Sequence, residues 1–289
     1  MTYKESSPQN RELESILPVM KWAGGKRKVL PHIKPFLPHD FKRYFEPFLG
    51  GGALLFDLIP KHAIVNDINT ELIALYEVIR DSPEELINEL LKLKNTEESF
   101  YKIRSWDRDA NTISKKSKVQ LAARTLYLNH TGYNGLYRVN ASNQFNVPFG
   151  KYVNPKICDQ ERIRAMSTYF NLSKIKFYNE DFTKTIARAS KNDFIYVDPP
   201  YAPLDKATST FTSYTANGFG IDDLLNLREA LDAARNRGSN WLLSNVKTTD
   251  TMKVFPAKKY SIVEFEINRS ISANALGRGG VTEILVRPR

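Results

Sequence analysis

The chain has 289 residues, of which 42% are hydrophobic and 11% aromatic, enough to bury the core of one large domain or one domain with an insertion. Its 42 Lys and Arg against 32 Asp and Glu leave a formal charge of +10, which favours a polyanionic partner, either nucleic acid or an anionic membrane surface. No apolar run approaches the roughly 18 residues of a membrane span, no signal-peptide core is visible, and a lone cysteine, Cys158, excludes an intrachain disulfide. A cytoplasmic protein with no membrane association is expected. The four histidines (His32, His39, His62, His130) lack ligand spacing, so no metal is expected.

Residues 1–17 read as a mobile polar arm, and the fold starts near Pro18. "AGGKRK" (23–28) has the look of a phosphate loop, but Arg27 stands where Ser or Thr would follow Lys26 and no strand precedes Gly24, which rules out an ATPase. A basic surface turn and, with Trp22, a ligand-pocket wall both remain open. "RYFEPFLGGGALLFDLIP" (43–60) predicts strand, Gly-rich turn and helix, and "AIVNDIN" (63–69) a second strand ending at Asp67. Helical periodicity then runs to about His130, with a capping box predicted from Ser82 to Glu85 and Pro83 at the first helical position. Residues 131–155, rich in Asn, Gly and aromatics, read as a working loop and not as core, with a hairpin turn at Ala141-Ser142-Asn143. Strands and helices resume through "KIKFY", "FIYVDPPY", "DDLLNLREALDAARNRG" and "NWLLSNV", and "YSIVEFEIN" with "VTEILVRP" predicts a terminal antiparallel hairpin. The resulting class is α/β with a mixed, mostly parallel sheet.

Two stretches carry chemistry. "FLGGG" (48–52) joins a strand to a helix, and Asp67 ends the next strand 17 residues after Gly50, a spacing that suits a ribose-binding acid. The glycine pattern is not that of a dinucleotide site, so a nucleoside without phosphates fits better, and a plain tight turn is the bland alternative. Asp198-Pro199-Pro200-Tyr201 ends a buried strand with a carboxylate, a stiff turn that cannot continue the ladder, and a ring. An exocyclic amine is a poor nucleophile while its lone pair is delocalised into a base. The Asp198 carboxylate and Pro199 carbonyl can each accept one of its N–H groups, while Tyr201 stacks on the base. A satisfied Asp and a packed Tyr at a strand end are the alternative. Cys158 in "KICDQ" reads as a structural thiol, which excludes carbon-5 cytosine methylation through a thiolate nucleophile.

"KWAGGK", "EPFLGGGAL", "NDIN", "GYNGLYRVN…FNVPFGKY" and "DPPYAPL…FTSY", in this order over about Pro18 to Arg287, resemble the Dam-type DNA adenine-N6 methyltransferases of the D12 class, alpha group. The resemblance implies a Rossmann-like mixed seven-stranded sheet: an S-adenosyl-L-methionine-binding catalytic domain (18–70 and 160–289) and an inserted helical DNA target-recognition domain (71–159). It implies methyl transfer from S-adenosylmethionine to adenine N6 in double-stranded DNA. Trp22 and Lys26 would line the cofactor pocket, Phe48, Gly50 and Gly52 would wrap the methionine part, Asp67 would hold the ribose, and Asp181 and Phe182 would flank the adenine. Asp198 would serve both target and cofactor, with Pro199, Pro200 and Tyr201 completing the catalytic turn. Lys21 matches a position able to touch DNA. Target choice would lie in 131–155, with Asn134, Arg138, Asn140 and Asn143 as base-reading candidates and Lys151 as a phosphate contact, a structural role in the hairpin being the alternative for each. Relatives with this stretch act on GATC, which transfers by resemblance, and position 139 is Val where some of them carry a ring. Methylation of cytosine N4 or an RNA base, and a catalytically silent DNA-binding regulator, are the competing readings. A monomer is favoured.

Overall fold

The computed structural model describes residues 16–22, 24–201, 219–267 and 281–289. Nearly all of the predicted arm and the "APL…FTSY" half of the last motif lie outside them. Strands β1 (Tyr44–Glu46), β2 (His62–Asn66), β3 (Lys174–Tyr178), β4 (Phe194–Val197), β5 (Asn240–Val246), β6 (Tyr260–Ile267) and β7 (Val281–Pro288) form one seven-stranded sheet in the order β3-β2-β1-β4-β5-β7-β6. The pairs among β1 to β5 are parallel, whereas β7 runs antiparallel to both β5 and β6. The Rossmann-like mixed sheet and its terminal hairpin are therefore as expected.

The helices are α1 (Leu30–Ile33), α2 (Ala53–Leu58), α3 (Thr70–Asp81), α4 (Pro83–Leu91), α5 (Glu97–Arg104), α6 (Ala110–Ser114), α7 (Lys118–Thr131), α8 (Gln160–Leu172), α9 (Phe182–Ala187), α10 (Ile221–Asn236) and α11 (Thr249–Val254). All four residues of β4 are buried, the continuous apolar run of a parallel strand covered on both faces. On one face α10 lays its stripe of Leu224, Leu227 and Leu231 beneath Ile195, Val197 and Leu243. On the other, Tyr44, Phe194 and Tyr196 join a core that continues through α3 and α8 into the inserted helices.

Four local expectations change. Ser82 makes no side-chain cap, because the same residue closes α3 with its N–H on Val78 O, and the capping box forms instead at Ser117 and Gln120. Residues 131–155 are partly core, with Val139, Phe145 and Val147 buried, and isolated bridges, Val139 to Phe145 and Gly132 to Phe149, are among the contacts that join the segment's two sides. Ile16, assigned to the arm, is buried in the main core. Helix α3, assigned to the 71–159 insertion, packs on the sheet, its Tyr76 stacked on Phe177 at 6.1 Å and edge-on to Phe170.

The chain visits β1, β2 and β3 in one direction and then returns to place β4 on the other side of β1. The order reverses between β1 and β4, and the crevice outside their carboxyl ends is where open α/β sheets bind ligands.

Candidate active site at the strand ends

The β1 side of the crevice is built by the glycine turn. Gly50 and Gly52 lie at φ +48° and +68°, and a Cβ would meet the Trp22 indole at 2.7 Å from Gly50 and the Phe56 ring at 2.7 Å from Gly52. Only glycine fits either place. The Gly50 N–H donates to Asp67 Oδ2 and the Asn69 N–H to Oδ1, both at 2.9 Å. Burial nonetheless pushes the Asp67 carboxyl up to about 6 against these two donors. Asn66 fastens the neighbouring loops by donating to Pro47 O at 2.9 Å and Glu180 O at 3.1 Å while accepting from the Glu180 N–H at 3.0 Å. Asp181 caps α9 through the Thr183 N–H at 2.9 Å. Beside it, Phe48 and Phe182 pack at 5.1 Å, with Phe219 edge-on to Phe48 at 5.8 Å. Ile68, 55% exposed next to Asp67, adds an apolar surface at the same rim.

The β4 side is built by charge. Lys26, only 3% exposed, places its ammonium 2.9 Å from Asp198 Oδ1 and 3.6 Å from Glu283 Oε2, and donates to the Tyr201 hydroxyl. Tyr201 in turn donates to Glu283 Oε1 at 3.1 Å. Lys26 is thus no surface turn. Burial disfavours its charge, but Asp198, Tyr201 and Glu283 together hold its pKa above the ordinary lysine value. Burial pushes Asp198 up to about 6 against the pull of Lys26, and Glu283 adds to the rise. A carboxyl at that value stays mostly ionised near neutrality and can accept both a hydrogen bond and a proton.

A strap and a hairpin face this crevice. The fully buried Asn129 on α7 accepts from the Lys21 N–H at 2.8 Å and donates to Lys21 O at 2.7 Å and Gly135 O at 2.9 Å. The Lys21 side chain stays exposed over the Tyr152 ring. Trp22 stacks on Tyr137 at 5.8 Å, so the ring that seats the glycine turn also touches the inserted segment. Asn134, Asn143 and Lys151 are exposed and adopt positive φ, and Tyr133 beside Asn134 is 51% exposed. Arg138 donates from Nε to Asn146 Oδ1 at 2.7 Å. Asn140 is tied into its own turn: its Oδ1 accepts from the Ser142 and Gln144 N–H groups at 3.0 and 2.9 Å, and its Nδ2 donates to Gln144 Oε1 at 3.1 Å.

The structure thus brings Trp22, Phe48, Gly50, Gly52, Asp67, Asp181 and Phe182 to one side of the crevice and Lys26, Asp198, Pro199, Pro200 and Tyr201 to the other. Lys21, Asn134, Arg138, Asn140, Asn143 and Lys151 belong to the strap and hairpin. Sequence reasoning missed Asn66, Asn129, Phe219 and Glu283. Only Glu283 had a visible signal, an acid inside the otherwise apolar "VTEILV". Among the described residues no cluster of His, Cys, Asp and Glu is fit for a metal, and no helix is long and apolar enough to cross a membrane.

The mixed seven-stranded Rossmann-like sheet thus carries a glycine turn after β1, an acid after β2 and an Asp-Pro-Pro-Tyr turn after β4. Residues 22–271 match the D12 class N6 adenine-specific DNA methyltransferases, and the chain belongs to that family. It is 44% identical to the type II methyltransferase M1.LlaDCHI of Lactococcus lactis subsp. cremoris over 274 residues, covering 94% of this chain and 95% of that one. The DNA adenine methylase of Vibrio cholerae is 34% identical, with 92% of this chain and 94% of the relative covered. That of Escherichia coli K12 is also 34% identical, with 92% and 93% covered.

Proposed function

We propose that the protein transfers a methyl group from S-adenosylmethionine to N6 of an adenine flipped out of duplex DNA, within GATC, and acts in the cytoplasm. The observation that carries this reading is the Asp198 carboxylate, fixed by Lys26 at 2.9 Å in the β1/β4 crevice opposite the glycine turn and Asp67. The cofactor fits that half-site: a positive-φ glycine turn closed tightly against the Trp22 and Phe56 rings, a carboxylate at Asp67 and three packed phenylalanine rings. Trp22, Phe48, Gly50, Gly52, Asp67, Asp181 and Phe182 would hold it, and Asp198 would border it. Bound there, S-adenosylmethionine supplies an electrophilic methyl group.

The chain's own residues prepare the amine. Asp198 and the Pro199 carbonyl accept the two N6–H groups, drawing the nitrogen toward sp³ geometry and freeing its lone pair. Tyr201, its hydroxyl held between Lys26 and Glu283, presents its ring to the base. Asp198 takes the proton released as the new N–C bond forms. The turn's prolines hold these acceptors without reorganisation. Family membership and the intact carboxylate stand against the cytosine-N4, RNA-base and silent-regulator readings. Lys21 and Lys151 would meet phosphates, Arg138, Asn134 and Asn143 would face base edges, and Asn140 would hold the turn.

Plasmid incubated with protein and S-adenosylmethionine should resist a nuclease that cuts only unmethylated GATC, and its hydrolysate should contain N6-methyladenine. Complete cleavage with N6-methyladenine present would place the site elsewhere. N4-methylcytosine, or no methylated base, would sink the proposal.

A further inference from the structure

The ammonium of Lys26 lies between two carboxylates, and the second comes from the far hairpin of the sheet. We propose that Glu283 on β7 is a positioning residue for methyl transfer, acting on Asp198 through Lys26 and Tyr201. This rests on the adenine-N6 reading above.

The geometry is specific to Glu283. One carboxylate oxygen lies 3.6 Å from Lys26 Nζ while the other accepts from the Tyr201 hydroxyl at 3.1 Å, so the side chain touches both groups that touch the Asp198 turn. A lysine ammonium has three N–H donors. Given Asp198 alone, it would settle on that carboxylate and compete with a substrate amine for both oxygens. Tyr201 instead draws one of its donors away and Glu283 attracts the ammonium by charge from 3.6 Å, which directs Lys26 to Oδ1 at 2.9 Å and keeps Oδ2 for the N6–H. The same contacts orient the Tyr201 ring.

Charge adds a second effect. The charged groups that act on Asp198 are Lys26 from the turn before α1 and Glu283 on β7, and Asp198 in turn acts on Tyr201 in its own loop, Tyr196 on β4 and Glu46 on β1. Burial holds Glu46 well above the usual carboxylate range, with its Oε2 accepting from the Tyr44 hydroxyl at 2.9 Å. Glu283 is the negative group that raises Asp198, opposing Lys26. With one cation between two anions, Asp198 keeps a proton affinity near neutrality; with Glu283 neutralised, Lys26 would pull it down.

The experiment measures single-turnover methyl transfer to an adenine-containing duplex between about pH 5 and pH 9 for wild type, Glu283→Gln and Glu283→Asp, with cofactor affinity measured on the same preparations. In Glu283→Gln the acid limb of the rate should move down by about one pH unit and the plateau should fall roughly tenfold, with cofactor affinity within about threefold. Glu283→Asp, which keeps the charge, should return the limb to its wild-type position. A purely structural role would lower the plateau and the melting temperature but leave the limb in place, so an unmoved limb in Glu283→Gln overturns the proposal. If that variant fails to melt cooperatively, Tyr201→Phe decides. It keeps the charge and cuts the hydroxyl link, so transfer should fall with the limb and cofactor affinity unchanged, and undiminished transfer overturns the proposal. A wild-type protein that methylates no adenine removes this inference together with the function it rests on, whereas wild-type transfer with an unmoved limb removes the inference alone.

Discussion

Replacing Lys26 by Met keeps the length of the buried side chain and removes its charge, leaving Asp198 and Glu283 to face each other. The ion pair to Asp198 spans 2.9 Å. At an effective dielectric of about 20 that separation gives roughly 6 kcal/mol, and halving it for solvent access leaves ~3 kcal/mol. The discount is warranted because the Asp198 side chain remains 21% exposed. At ~1.4 kcal/mol per pH unit, the loss would lift the Asp198 carboxyl from about 6 to about 8. The sign follows from the role assigned to it: transfer needs the carboxylate, so activity rises with pH through that value. At about pH 7.5 the ionised fraction would fall from about 97% to about 24%, a roughly fourfold loss from protonation alone. Methyl incorporation under saturating duplex and cofactor, followed across pH, should show wild type rising through about pH 6 and then flat, and Lys26→Met rising through about pH 8. Breaking a buried pair costs about 3 to 5 kcal/mol of stability, so a cooperative melt must accompany each rate. A variant profile parallel to wild type, with no alkaline recovery, would refute the claim that Lys26 acts by holding Asp198 ionised.

Three further outcomes are expected. Asp198→Ala should reduce transfer to background while duplex binding stays within about threefold in a filter assay, because the acceptor is lost and the basic surface is not; measurable turnover would remove Asp198 from the mechanism. Asn129→Ala orphans the Lys21 N–H and the carbonyls of Lys21 and Gly135, which should cost about 2 to 4 kcal/mol and lower Tm by roughly 3 to 7 °C by calorimetry, an unchanged Tm showing that the strap is held by other contacts. Arg138→Ala should narrow the ratio of rates on GATC and on sites altered at the guanine-bearing pair, since a bidentate guanine contact is worth about 1 to 3 kcal/mol of discrimination. A wild-type ratio would leave Arg138 as the strut of Asn146.

Much of the nucleoside side of the crevice was legible because its determinants are local. The strand before Phe48, the positive-φ glycines and the acid that closes β2 lie within a single βαβ unit, and periodicity with turn chemistry reads such a unit directly. The charged side was legible only in part. Asp198-Pro199-Pro200-Tyr201 announces a strand end, but whether Lys26 is a surface cation or a buried one depends on Tyr201, 175 residues along the chain, and on Glu283 beyond it. Hydrogen-bond partners at that separation leave no periodic trace. The hairpin reads as free of core because Phe145 and Val147, although they alternate as in a strand, sit among Asn, Pro and Gly residues that signal a loop, and Val139 stands apart from them. Their burial comes from α5 and the turn after it, where the Asp107 carboxylate accepts from the Phe145 N–H at 2.8 Å and Arg104 donates to Val147 O at 3.0 Å. Ser82 shows the converse, a correct local signal overruled because one residue had to end α3 and begin α4.

The two sides of the crevice differ in what holds them, and that difference predicts how they fail. On the β1 to β3 side the Asp67 carboxylate and the Asn66 amide are fixed by backbone groups of adjoining loops, so the half-site is assembled by the sheet itself and exists before any charge is placed. On the β4 side the acceptor is fixed by an ammonium and a second carboxylate from opposite ends of the chain, and its readiness to accept a hydrogen bond varies with pH. Neutral changes in the first half should therefore appear as lost cofactor affinity, and charge changes in the second as altered turnover with affinity retained. Trp22 belongs to the first half and reaches beyond it: its indole packs on Gly50 and its ring stacks on Tyr137, whose hydroxyl donates to Glu71 at 3.2 Å on the helix that follows Asp67. A strap residue that seats the glycine turn and touches the inserted segment ties that turn to the Asn-rich hairpin through packed rings, independently of the charges around Asp198.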